Sequence, residues 1–232
     1  MHEIEIADLR KLTQLVKDKY GYDFKNYAMS SFKRRIKRIT DLYKFKSVEM
    51  LIDKVNESPA FFEEFVSEIT VNVTEMFRDP SFWKALREQV IPNILLNHNK
   101  ISIWHAGCSS GEEVYSMAIL LKEMDILDKS NIIATDIDTS IIDRAKKGHI
   151  SLKNMELNSK NYIRFEGQHD IYKYFNIEQD KAVINPELIS QVSFRKHDLV
   201  QGGVFSKFDL ILCRNVMIYF NQTLQNDVLY KL

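Results

Sequence analysis

Four short segments of this 232-residue chain set polar or charged groups directly behind stretches that read as β-strands. The first is Ala106-Gly107-Cys108-Ser109-Ser110-Gly111, which follows the apolar run Ile101-Ser102-Ile103-Trp104 and leads into Glu112 and Glu113. Glycines let backbone approach a ligand closely, and the helix that follows offers free N–H groups. The dinucleotide fingerprint G-x-G-x-x-G is absent, and two carboxylates at a helix start repel a pyrophosphate while suiting a cation. S-adenosylmethionine, with an ammonium and a sulfonium, has that character; a nicotinamide cofactor does not. The second segment ends in Asp136, 25 positions after Gly111, where a carboxylate can accept hydrogen bonds from both hydroxyls of a ribose. The third is His197-Asp198-Leu199, where a side chain and a backbone amide could read an adenine edge. In the fourth, Cys213-Arg214-Asn215-Val216-Met217-Ile218-Tyr219-Phe220, a buried strand runs into polar groups and an aromatic pair. Such a segment can hold a reacting group between cofactor and substrate.

Each segment alone has a plainer reading. A glycine turn after a strand is often only a turn. Asp138 competes with Asp136 for the role of helix N-cap, Asp198 can simply close a turn, and Tyr219-Phe220 can be core. The four in sequence order, each at a strand end, form a pattern that chance seldom supplies.

The elements that must position these groups follow from periodicity. Over residues 1–70, Leu9, Leu12 and Val16 share a helix face, as do Phe32, Ile36, Ile39 and Tyr43, then Leu51 and Val55, then Phe61, Phe65 and Ile69. Ser58-Pro59 reads as an N-cap with proline in the first turn, and Gly21 separates the first two helices. A small helical domain fits. Residues 71–100 form a linker, with the polar-aromatic string Asn72-Val73-Thr74-Glu75-Met76-Phe77-Arg78-Asp79 and a helix carrying Trp83, Leu86 and Val90. From Ile101 to Leu232 strands alternate with helices, at Ile101–Trp104, Ile132–Ala134, Val192–Phe194 and Phe208–Leu212, with a helix capped by Asp138 and ended by Gly148. That alternation predicts an α/β fold with a parallel, doubly wound sheet. Residues 150–191 break the rhythm and are too long for a plain loop, so they read as a small inserted subdomain.

Bulk properties exclude several classes. The composition, 45% hydrophobic and 28% charged, is that of an ordinary folded protein. Zero formal net charge gives no global pull toward nucleic acid or membrane. Cys108 and Cys213 make no disulfide framework and lack zinc spacing, so two free thiols and no metal site are expected. No apolar run approaches the roughly 18 residues of a membrane span, and a reducing cytoplasm is the simplest home.

At this point the residues carry a family resemblance. Ile103 to Ser116 (IWHAGCSSGEEVYS) closely resembles the W-x-A-G-C-S-[ST]-G-E-E-x-Y-S signature of the chemoreceptor methyltransferase (CheR) family. Asn72-Val73-Thr74 with Phe77-Arg78-Asp79 resembles the family's linker motif. Ala134-Thr135-Asp136-Ile137-Asp138 and Cys213 to Phe220 resemble its later motifs, and Phe32-Lys33-Arg34-Arg35-Ile36 its basic N-terminal helix. The resemblance implies a class I methyltransferase, Rossmann-like, with an N-terminal helical domain and a small inserted subdomain. It implies S-adenosylmethionine as cofactor, S-adenosylhomocysteine as product, and glutamate carboxylates of methyl-accepting chemotaxis receptors as acceptors. Asn72, Thr74 and Arg78 would cover the cofactor and line the transfer site. Ala106, Gly107 and Glu112 would hold its amino-acid end, Asp136 with Ile137 the ribose, and Asp198 with Leu199 the adenine side. Asn215 and Val216 would close the pocket, with Tyr219 near the substrate; Arg78, Asn215 and Tyr219 would act catalytically. Asp198 stands where the family often has asparagine, and His105 where a smaller residue is common.

Between Lys33 and Lys46 the chain has seven Lys or Arg against one Asp, including Lys33, Arg34, Arg35, Lys37 and Arg38. A solvated face and a docking surface for acidic receptor helices both account for this run. A monomer that binds receptor methylation helices, without nucleic acid and without membrane insertion, is expected. Two other readings stay open: a methyltransferase with a different acceptor, and a cofactor-binding regulatory module without turnover. The family continues with a further helix and three strands beyond the helix that begins near Gln222. Without them the strand at Phe208–Leu212 would be an exposed edge, so C-terminal strands are expected to be missing from this sequence.

Overall fold

The computed structural model describes residues 4–70, 74–203 and 205–232, which divide into two compact units. One comprises the N-terminal 71 residues with 198–204 and 214–232; the other comprises 72–197 with 205–213.

The first unit is helical: α1 (Ile6–Tyr20), α2 (Met29–Leu42), α3 (Val48–Glu57) and α4 (Pro59–Ile69). The apolar stripes read from the sequence form its core, with Leu9, Leu12, Val16, Phe32, Ile36, Ile39, Leu51, Val55, Phe61, Phe65 and Ile69 buried and Tyr43 half-buried at its edge. Local chemistry sets the helix ends. Gly21 closes α1 with φ at 78°, the left-handed conformation that costs glycine least. Ser58 accepts from the Phe61 amide at 3.2 Å while Pro59 occupies the first turn of α4.

The second unit holds the sheet. Its elements are α5 (Pro80–Ala85), a π-turn (Leu86–Val90) continuing into α6 (Ile91–Leu95), β1 (Ile101–Ala106), α7 (Glu112–Glu123), β2 (Ser130–Asp136) and α8 (Thr139–Lys147). Then come β3 (His149–Ser151), α9 (Leu152–Phe165), β4 (Phe175–Glu178), β5 (Lys181–Ile184), α10 (Pro186–Ile189), β6 (Val192–Lys196) and β7 (Leu210–Leu212). The main sheet has the order β6-β2-β1-β7, every pairing parallel. The chain steps from β1 to β2 to β6 on one side and returns to β7 on the other, so strand order reverses at β1. Ligands of open α/β sheets bind beyond the strand ends at such a reversal. This is the parallel, doubly wound arrangement that the alternation of strands and helices predicts. The β7 strand is shorter than the apolar run suggests, because Asp209 diverts the pairing: its carboxylate accepts the Ser102 amide at 2.8 Å and its own amide bonds the Ser102 carbonyl at 2.9 Å. Residues 149–184 carry a second, antiparallel sheet of order β3-β5-β4, inserted between α8 and β6.

The remaining helix, α11 (Gln222–Lys231), belongs to the first unit and is capped by Asn221, which accepts the Leu224 amide at 2.9 Å. Within that unit Tyr27 and Phe220 form an antiparallel bridge, flanked by bonds from Ala28 N to the Tyr219 carbonyl (2.8 Å) and from Asn221 N to the Asn26 carbonyl (2.9 Å).

Candidate cofactor site

The turn between β1 and α7 is held by backbone bonds. Both the Gly107 and Cys108 amides donate to the Thr135 carbonyl at 2.8 Å, which ties the turn to the end of β2. Gly107 (φ 87°), Ser109 (φ 50°) and Gly111 (φ 99°) are left-handed. At Gly111 an added Cβ would meet the Tyr115 ring at 2.6 Å, so glycine is required by both conformation and space. A serine in the same conformation is unusual and is held by its partner: the Ser109 amide donates to Asp136 Oδ2 at 2.8 Å.

Asp136 and Asp138 divide the two roles that the sequence left open between them. Asp138 caps α8, its Oδ1 accepting from Ser140 N (2.8 Å) and Ile141 N (3.4 Å). Asp136 is thereby left to the turn, with Oδ1 accepting the Asp138 amide at 3.2 Å and the Ile137 amide also facing the carboxyl. It is 9% exposed, and burial raises its pKa despite these donors. Glu112 opens α7 at 5% exposure, with Ser110 Oγ donating to Oε2 at 2.6 Å. Its pKa is likewise raised by burial. Two desolvated carboxylates therefore flank one turn at the strand-order reversal. An ammonium beside Glu112 and hydroxyl donors beside Asp136 would offset the cost of burying them. The Ser109 hydroxyl is buried without a hydrogen-bond partner, a further polar atom in want of a ligand.

Among the other sequence-predicted residues of the second unit, Ala106 is buried beside Thr135 in the β1–β2 register and Ile137 is half-buried. Thr74 and Arg78 are half-buried in the linker, and the Arg78 carbonyl accepts Trp83 Nε1 at 2.9 Å. Asn72 lies outside the described residues.

Asp198, Leu199, Asn215, Val216 and Tyr219 belong to the first unit. Asp198 closes a turn, accepting Val200 N at 2.8 Å and Gln201 N at 3.4 Å on one carboxylate oxygen. Leu199, Val216 and Tyr219 pack on the cluster of Phe220, Leu224 and Val228. Asn215 is exposed and left-handed (φ 59°). Of the basic residues on α2, Arg34, Lys37 and Arg38 are exposed and Lys33 is half-buried. Arg35 is turned inward: its guanidinium lies over the Tyr219 ring at 5.6 Å and donates to the Thr70 carbonyl at 3.3 Å.

Several site groups escaped sequence reasoning. His105 is fully buried on β1, with Nδ1 2.8 Å from Glu113 Oε1, so strand and helix are tied across the turn. Ser116 accepts the Phe77 amide at 2.9 Å and donates to the Glu112 carbonyl at 2.7 Å. Asn158 and Asn161 are buried on α9. These two carried a readable signal: with Met155, Tyr162 and Phe165 they fall on one helix face, polar residues inside an apolar stripe. Burial raises the pKa of both thiols, that of Cys213 to about 11. Among the described residues no helix is long and apolar enough to cross a membrane, and no cluster of His, Cys, Asp or Glu is arranged for a metal.

Comparison with known proteins matches the chain throughout. Residues 72–232 match the family model described as CheR methyltransferase, SAM binding domain, and residues 7–70 match CheR methyltransferase, all-alpha domain. Cher3 of Pseudomonas putida is 40% identical over 96% of this chain and 81% of its own length. The chemotaxis protein methyltransferase of Listeria monocytogenes is 34% identical over 93% of this chain and 81% of that protein. Its namesake in Salmonella typhimurium is 29% identical over 96% and 77%. The donor set at the β1–α7 turn fits the ligand named by the first match: a desolvated carboxylate for an ammonium, a second for ribose hydroxyls, and glycines where backbone must come close. The chain belongs to the CheR family of S-adenosylmethionine-dependent methyltransferases.

Proposed function

We propose that the chain methylates glutamate side chains of methyl-accepting chemotaxis receptors, giving glutamyl methyl esters. The observation that carries the reading is the pair of desolvated carboxylates, Glu112 and Asp136, on one turn at the strand-order reversal. The names of the Listeria and Salmonella relatives support the chemotactic setting.

When bound, S-adenosylmethionine supplies a methyl group on a sulfonium, which an acceptor carboxylate takes up by in-line displacement, leaving S-adenosylhomocysteine. A glutamate with pKa about 4.3 is ionised at neutral pH, so no residue of the chain has to act as general base. The work of the protein is alignment and exclusion of water, where effective molarity supplies up to roughly 7–11 kcal/mol in ideal cases. Glu112 holds the ammonium end together with the Ala106-Gly107 backbone. Asp136 keeps lone pairs for the ribose beyond those its amide donors use. Arg78 steers the acceptor carboxylate by charge, while Asn215 and Tyr219 fix its angle. Thr74 covers the cofactor, and Val216, Asp198 and Leu199 complete its adenine side.

The cations of α2 are the proposed docking surface for acidic methylation helices, with Arg34, Lys37 and Arg38 exposed, Lys33 half-buried and Arg35 turned onto Tyr219. The test is a calorimetric titration with S-adenosylhomocysteine, followed by transfer of labelled methyl to receptor fragments. One-to-one binding lost in Asp136→Ala, together with base-labile methyl on receptor glutamates, is the expected result. Binding without transfer to any receptor fragment would make the chain a cofactor-binding module or assign it another acceptor.

A further inference from the structure

The linker around Arg78 is gripped on both sides, and one grip comes from the inserted subdomain. Asn158 and Asn161, one helical turn apart on α9, are 1% and 5% exposed. Asn158 Oδ1 accepts the Met76 amide at 3.0 Å, and Asn161 Nδ2 donates to the Met76 carbonyl at 3.1 Å. Both backbone groups of Met76 are thus satisfied by side chains more than 80 residues away in sequence, on a helix whose interior disfavours asparagine.

The next residue, Phe77, is left-handed (φ 50°), costly for a bulky side chain, and Asp79 is left-handed as well (φ 58°). Such a backbone persists only where its surroundings over-determine it. Here the Phe77 ring stacks on Phe165 of α9 at 4.7 Å and meets Tyr162 at 5.1 Å, while its amide bonds Ser116 of α7. On the far side, Trp83 of α5 fixes the Arg78 carbonyl. Arg78 therefore projects from a short stretch of strained chain, anchored by α9 before it and by α5 after it.

We infer that Asn158 and Asn161 are positioning residues for methyl transfer: through Met76 and Phe77 they set the backbone that carries Arg78. The inserted subdomain is then part of the transfer apparatus as well as an appendage to the sheet. The inference rests on the role proposed for Arg78.

The experiment compares Asn161→Leu and Asn158→Leu, near-isosteric changes that favour the helix, with Arg78→Ala and with the Arg78→Ala/Asn161→Leu pair. Each is measured for turnover, S-adenosylhomocysteine affinity and hydrogen exchange at the Met76 and Phe77 amides. The expected result for each asparagine variant is faster exchange confined to the linker, turnover lower by on the order of 10- to 100-fold, and cofactor affinity within about 3-fold. In the Arg78→Ala background, Asn161→Leu should cost nothing further, because it acts through the residue already removed. Faster linker exchange with unchanged turnover in the single variants overturns the inference, and so does a full additional loss in the pair. If Arg78→Ala itself turns over normally, the role given to Arg78 fails, while the exchange data still report whether α9 holds the linker. Should the leucine variants not fold, Ser116→Ala loosens the same Phe77 amide from α7, and an unchanged turnover there, with faster exchange, counts equally against the linker's role.

Discussion

The β1–α7 turn and helix α2 both concentrate charge, and they are built in opposite ways. Glu112 and Asp136 are 5% and 9% exposed and are fixed by short bonds from Ser110, Ser109 and Asp138. On α2, Arg34, Lys37 and Arg38 stand in solvent, and the ion pair from Arg38 to Glu68 is 3.6 Å long with the arginine side chain 71% exposed. Buried charge is costly and little screened, so it selects a ligand that brings the opposite charge or the missing donors. Exposed charge is screened within about 8 Å at physiological salt and steers encounter more than it fixes geometry. One region is built to recognise a small molecule, and the other has the exposed charge that the proposed acidic partner would need.

Substitutions can break this comparison, starting where the effect is largest. Arg78→Ala should lower turnover by on the order of 100-fold while S-adenosylhomocysteine affinity stays within about 3-fold, since steering of an acceptor matters only during transfer. Equal losses in single-turnover rate and in titrated affinity would make Arg78 a cofactor ligand alone. Asp136→Ala should weaken S-adenosylhomocysteine by roughly 10- to 100-fold, the worth of charged hydrogen bonds of about 1.5–3 kcal/mol. Calorimetry reads this directly, and an unchanged Kd would return Asp136 to a purely structural role.

Glu112→Gln sharpens the comparison through pH. Burial raises the Glu112 pKa, so the carboxyl must be ionised at a cost to the folded state. Its contribution to stability is full below the ordinary carboxylate pKa of about 4.3 and is lost as pH rises through the raised folded value. The ligand-free Glu112→Gln variant should therefore melt at a higher temperature than the parent at neutral pH. Cofactor binding has the opposite sign: an ammonium needs the carboxylate ionised, so parent affinity should fall as pH drops through the raised pKa, and that slope should flatten in Glu112→Gln. A glutamine variant that melts no higher and keeps the same pH slope would mean that Glu112 is not the ammonium partner. The smallest effect is expected on α2. Lys37→Glu with Arg38→Glu should weaken receptor-fragment binding several-fold at low salt, flatten its salt dependence, and leave S-adenosylhomocysteine affinity unchanged. A parent protein whose receptor binding ignores salt would remove α2 from the interface.

Much of the frame was legible in the residues because it depends on local rules. The stripes of α1 to α4, the Ser58-Pro59 start, the glycine turn after β1, the Asp138 cap and the Gly148 stop each express a preference carried by a few adjacent residues. The β7 strand, Leu210–Leu212, is shorter than the apolar run from Phe208 suggests, since nothing in Phe208-Asp209-Leu210 announces that Asp209 will bond the Ser102 amide. Nor does the sequence around Phe77 forecast left-handed backbone at a bulky aromatic, which only neighbours from α9 and α7 can enforce. Arg35 belonged by pattern to the basic face, yet its position on α2 turns it toward Tyr219.

By itself the sequence determined the order of elements, the parallel sheet, the turn that requires glycine and the carboxylates on either side of it, because spacing, capping and alternation act over a few residues. Tertiary structure decided which carboxylate caps a helix and which is left for a ligand, how His105 ties β1 to α7 through Glu113, and how Asn158 and Asn161 reach back to Met76. Those outcomes depend on which distant groups share a desolvated space, where every donor must find an acceptor.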